Sequence, residues 1–193
     1  MTKQHQPRRL GAISTVYQDL RNSAHQFKSE MLRLESELPD EFDFGSGLVT
    51  AETIPIVEKK RECKMYSRLI QEFALLAVEA FLNAYGYVRF GQEEEFEPKS
   101  DRFSIPQLAQ MVCEPSVQTF QNDCESADVV KRLASCRNRL VQLRSALHVA
   151  GDGTRFEKTD DSQSAVAAVQ EMERFFELFA QIDPYLGTIS EAS

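Results

Sequence analysis

Apolar residues recur along the first part of the chain at intervals of three and four. Tyr17, Leu20, Ala24, Phe27, Met31, Leu34 and Leu38 form one stripe, which predicts an amphipathic helix. Pro39 closes it, because proline lacks an amide donor and biases the residue before it away from helix. The stripe fits two uses, a coiled-coil seam or packing against the chain's own domain, and so short a run favours the second. Residues 39–54 follow as an acidic, glycine-containing connection.

A second helix is predicted from about Val57 to about Tyr85. Pro55 stands where a first turn tolerates proline, and Glu58 lies near the positive helix end. Tyr66, Leu69, Ile70, Phe73, Leu76, Ala77, Ala80 and Phe81 line one face, and Leu75, Val78 and Leu82 make a second face apolar. A helix apolar on most sides is expected at the centre of a fold. Gly86 is expected to begin its end. The acidic stretch at 93–97 reads as a solvated loop, and a short helix is expected at 105–113 before Pro115.

A further helix is predicted from about Ser126 to Ala150, with Gly151 as its stop and Val129, Leu133, Cys136, Leu140, Leu143 and Leu147 as its buried stripe. After a polar linker, Ala165, Val169, Met172, Phe176 and Phe179 repeat at helical spacing as far as Pro184. No segment alternates as a strand does. The pattern predicts an all-α, up-and-down bundle of four main helices and one short one. Its parts are an N-terminal helix at 1–40 packed on the bundle, a linker at 41–56, the bundle proper at 57–183 and a tail at 184–193.

Composition narrows the chemistry. The chain has 193 residues, 42% of them apolar, which suits one domain with a buried core. No stretch approaches the roughly 18 apolar residues of a membrane span, and the N-terminus lacks the apolar core of a secretory signal. Four cysteines without a Cys-x-x-Cys pair, beside three histidines, give no zinc-ligand pattern. They read as reduced core thiols of a cytoplasmic protein, with no metal and no cofactor expected.

Net charge is −8, yet the segment from Val129 to Gly151 holds five cations (Lys131, Arg132, Arg137, Arg139, Arg144), His148 and no acid. At about 100° per residue, Arg137, Val141, Arg144 and His148 fall within an arc of about 60° beside the buried stripe. Arginine brings a permanent charge and a planar fork of donors, and histidine exchanges protons near neutrality, so the row could recognise phosphate. Two accounts compete. In the structural one, these cations pair with carboxylates such as Glu79, Glu94 or Asp161. Glu79, set among Leu75, Val78 and Leu82, needs a cationic partner, and the Arg-rich helix is the obvious donor.

The segment Ala77-Val78-Glu79-Ala80-Phe81-Leu82-Asn83, followed by a short helix, then Leu133-Ala-Ser-Cys-Arg137-Asn138-Arg139-Leu140-Val141 and a long amphipathic last helix, resembles the HEPN superfamily (higher eukaryotes and prokaryotes nucleotide-binding domains) over residues 57–182. The resemblance implies a helical bundle that homodimerises so that two Arg-Asn…His segments face each other. In active members that cleft cleaves RNA without metal, and many members serve toxin–antitoxin, phage-defence or RNA-processing systems. The family's usual motif is Arg-Asn-x-x-x-His. Here Arg137-Asn138 is in place, but the position five after Arg137 is Gln142, which hydrogen-bonds without transferring protons. The nearest histidine is His148, one turn after Arg144.

Three functional readings follow. In the first, a degenerate, dimeric member binds RNA or a nucleotide through Arg137, Asn138, Gln142 and Glu79, with a cognate protein partner and no membrane. In the second, Arg144 and His148 are the catalytic pair of a metal-independent ribonuclease. In the third, the chain is a structural helical protein that acts through partner helices.

Overall fold

The structure is a computed structural model, and it describes residues 15–39, 51–90, 124–149 and 160–182, with side chains at 15–39, 51–85, 128–144 and 162–181. Four helices are described: α1 (Val16–Ser36), α2 (Ile54–Phe90), α3 (Cys124–Val149) and α4 (Asp160–Ile182). No strand occurs among the described residues. The fold is an all-α helical bundle.

Contacts between helices fix their directions. Tyr17 meets Phe81 and Phe27 meets both Phe73 and Tyr66, so α1 runs antiparallel to α2. Glu79 faces Arg137 and Glu72 faces Arg144, so α3 is antiparallel to α2 as well. Tyr17 also stacks on Phe176 while Arg21, one turn later, holds Glu173, which sets α4 antiparallel to α1. The order is therefore up, down, up, down.

Where side chains are described, the predicted stripes face inward, with Leu76 of α2 as an exception. On α1, Tyr17, Ala24, Met31 and Leu34 are buried, with Leu20 and Phe27 packed against the core. This helix packs along α2 within the chain's own bundle, so its apolar repeat serves the domain. Ile70, Ala74, Ala77 and Phe81 of α2 belong to the same core as Leu75, Val78 and Leu82 of the second face, as expected for a central helix. Phe81 is the meeting point of three helices. Its ring centroid lies 5.2 Å from those of Tyr17 and Phe176 and 4.8 Å from that of Phe179. Edge-to-face geometry at these separations adds to simple burial.

Two expectations about α2 are corrected. It starts at Ile54, before the expected Val57, with Pro55 inside the first turn where its missing donor costs nothing. It also continues through Gly86 to Phe90. A single glycine costs a helix interior only about 1 kcal/mol relative to alanine, less than a long central helix gains from packing. Leu76, counted on its buried face, is 41% exposed, so one side of α2 stays open. The helix expected at 105–113 and the acidic loop at 93–97 lie outside the described residues.

Cys63 and Cys136 are buried and free, as core thiols. Cys113, and the side chain of Cys124, lie outside the described residues. No helix is long and apolar enough to cross a membrane among the described residues.

Candidate functional site

The Arg-rich helix α3 divides its polar residues between two sides. Leu133, Cys136 and Leu140 are buried, and Arg137 goes in with them at 3% exposure. Its Nη2 donates to Glu79 Oε1 at 3.3 Å. The pairing follows from cost: a guanidinium moved out of water needs a compensating charge, and Glu79 on the adjoining face of α2 supplies it. This is the structural partner that the sequence proposed for Glu79. Arg137 thus stands between helices and not on an open groove.

Arg144 is half-exposed, with Nε 3.2 Å from Glu72 Oε1, a partner not foreseen in the sequence. Both Arg–Glu pairs bridge α2 and α3 seven residues apart on each helix, two rungs along one seam. His148 is in α3, but its side chain lies outside the described residues, as does that of Asp161, and Glu94 lies outside them altogether. Of the expected Arg137–Arg144–His148 row, the structure therefore describes two ion-paired arginine side chains and the backbone of His148.

On the opposite side of α3, Lys131, Ser135, Asn138 and Gln142 follow at intervals of four, three and four and are all exposed. With Ala134 and Arg139 they line a shallow concavity of about 570 Å³. Asn138 and Gln142, two expected ligand residues, are thus together on this outer face, apart from Arg137 and Glu79. Arg139 is 59% exposed and touches Glu171 Oε1 through Nη1 at 3.2 Å. The arrangement offers two cationic groups and neutral amide and hydroxyl donors on one side of a rigid helix, a set suited to phosphate and to base edges. The sequence names Asn138 and Gln142 as ligand residues but not Lys131, Ser135 and Arg139 beside them, because a motif gives the order of residues along a helix and not the side on which each stands.

Behind it, Glu171 is buried on α4. Burial first, and then the adjoining Glu171 carboxylate, push the Cys136 thiol up to about 11, so this thiol stays protonated at neutral pH.

A second polar cluster joins α1 to α4. Arg21 grips Glu173 with both Nε, at 2.8 Å, and Nη2, and lies over the Phe176 ring at 5.0 Å. His25 Nε2 is 2.7 Å from Glu173 Oε1. Burial works against the Glu173 charge, but hydrogen bonds from Arg21 and His25 hold its carboxyl below the usual range. Farther along the same seam Leu32, Glu35, Ser162, Val166, Ala167 and Gln170 line a mainly apolar groove of about 390 Å³. No group of His, Cys, Asp and Glu among the described residues could hold a metal ion.

Comparison with known proteins returns no match: no family model, no curated protein and no solved structure is similar to this chain.

Proposed function

We propose that this chain is a HEPN-like, cytoplasmic helical module that binds single-stranded RNA, or a nucleotide derived from it, without cleaving it. It acts as a homodimer, as a regulatory member of a toxin–antitoxin or phage-defence type system with a cognate protein partner. The observation that carries the reading is the outer face of α3, where Lys131, Ser135, Asn138, Arg139 and Gln142 line one open concavity. These side chains are exposed, Arg139 with one nitrogen on Glu171, whereas Arg137 is buried against Glu79. Gln142 at the family's histidine position supports binding without proton transfer.

A net charge of −8 opposes broad electrostatic attachment to nucleic acid. Recognition is then confined to this face, with neutral amides contributing beside the two cations. The test is a titration of a 3′-labelled single-stranded RNA with the full chain at low salt, followed by fluorescence anisotropy. Binding that weakens with salt is expected, and Lys131→Ala with Arg139→Ala lowers both the affinity and the salt slope, by roughly one unit per cation. Absence of binding at low salt overturns the reading. Cleavage of the same RNA in EDTA, lost in His148→Ala, would replace it with the ribonuclease.

A further inference from the structure

The outer seam between α3 and α4 concentrates arginines beyond those of the concavity. Arg132, Cys136 and Arg139 follow at i, i+4 and i+7 on one side of α3, and Glu171 and Arg174 stand at i and i+3 on α4. Arg139 joins the two helices through Glu171 at 3.2 Å. Cys136 hydrogen-bonds the same carboxylate, and the charges of Arg132 and Arg174 both reach its sulfur. All five groups therefore occupy one neighbourhood.

Three of its features distinguish it from an ordinary surface charge pattern. Arg132, Arg139 and Arg174 are all exposed. Among the described residues no hydrogen bond or ion pair engages Arg132 or Arg174, and Arg139 uses one nitrogen of its fork. The lone carboxylate is buried under them, with 12% of its side chain exposed, and its position is fixed by two partners. Three guanidiniums thus stand around one carboxylate in a chain of net −8. Arg33 on α1, by contrast, is neutralised by Glu30 and Glu37.

We propose that this seam binds a phosphate monoester, held by Arg132, Arg139 and Arg174, with Glu171 as the positioning residue that sets Arg139. A monoester near neutral pH is close to a dianion and draws on several guanidiniums more strongly than a backbone diester, which carries one charge. Guanidinium forks match its oxygens in pairs. The inference deepens the RNA reading, on which it rests, by naming the 5′-phosphate end as the group grasped. It also adds α4 to the recognition surface through Arg174.

The experiment compares two 3′-labelled single-stranded RNAs of one sequence, with a 5′-phosphate and with a 5′-hydroxyl, on the full chain. Adenosine monophosphate, followed by phosphorus NMR line broadening, is the independent probe. The expected result is at least a tenfold preference for the phosphorylated end. Arg174→Gln and Arg132→Gln each remove the preference and leave binding of the hydroxyl RNA unchanged, with unaltered melting temperatures. Equal binding of the two RNAs, or a preference that survives both substitutions, overturns the monoester site while the RNA reading stands. If neither RNA binds but the monophosphate broadens with the parent and not with Arg174→Gln, the site is upheld and the RNA reading fails. Silence from all three probes removes both.

Discussion

Arg137 and Glu79 meet across the α2–α3 interface with 4% of the arginine side chain and 25% of the glutamate side chain exposed, Nη2 lying 3.3 Å from Oε1. The pair is asymmetric: the cation is inside and the anion reaches out to water. Such a pair contributes less to net stability than to the penalty for breaking it, because removing one partner strands the other charge.

Glu79→Gln is accordingly expected to destabilise the fold by about 2–3 kcal/mol, below the range for fully enclosed pairs because water still reaches the carboxylate. For a chain of this size that is a fall in melting temperature of roughly 4–12 °C. Calorimetry of the variant checks it. Replacing both residues with leucine should recover much of the loss, and a variant that melts with the parent would show that the carboxylate does not brace Arg137.

Gln71 is the converse case. It is fully buried on α2, and neither its Nε2 nor its Oε1 has a hydrogen-bond partner among the described residues. An unsatisfied amide of this kind costs about 1–3 kcal/mol, so Gln71→Leu should raise stability by about 1–2 kcal/mol in urea unfolding at constant slope. A lower midpoint for the leucine variant would mean that the amide is solvated by bound water.

Phe81→Ala removes a ring that touches α1 and α4 together, and should cost about 3–5 kcal/mol. Phe81→Leu keeps most of the volume and should cost less than half as much. Similar losses for the two substitutions would point to the aromatic edge contacts, and not to the volume, as the source of the effect.

Glu173 makes stability depend on acid. Its folded pKa is depressed, so its contribution is complete above the ordinary carboxylate value of about 4.3 and disappears as pH falls through the lower folded value. Because Arg21 is 36% exposed, the contribution is about 1 kcal/mol or less. Glu173→Gln should melt lower than the parent at pH 7, with the gap closing towards pH 3. Thermal unfolding at several pH values gives the comparison, and a gap that widens on acidification would contradict the assignment.

How far the sequence could be read depends on the range of the signal. Stripes such as Tyr17–Ala24–Met31 are local periodicities, so α1 and its buried face were legible. Glu79 was legible as well, since a carboxylate among apolar neighbours demands a counter-charge whatever the fold. Gly86 misled, because local propensity marks a stop where packing of the whole of α2 decides otherwise. Phe175 escaped notice beside Phe176, although it is Phe175 that is fully buried. Spacing places a side chain on a helix but not the neighbour opposite. That is why Arg137 could be read as lining a cleft, and why Glu72 and Glu171 went unrecognised as partners of Arg144 and Arg139.

The attachment of α1 bears on any experiment that shortens the chain. Arg21 fastens it to α4, and Met31, at the other end, accepts the Cys63 thiol at its carbonyl. Tyr17, Ala24 and Met31 together shield the apolar wall formed by Ile70, Ala77 and Phe81. A fragment begun after Pro39 would lay that wall open to water and clump or melt, and a sizing column would report aggregation where a dissociated oligomer had been sought. Assembly in this protein is better probed by point changes on the outer faces than by trimming from the front.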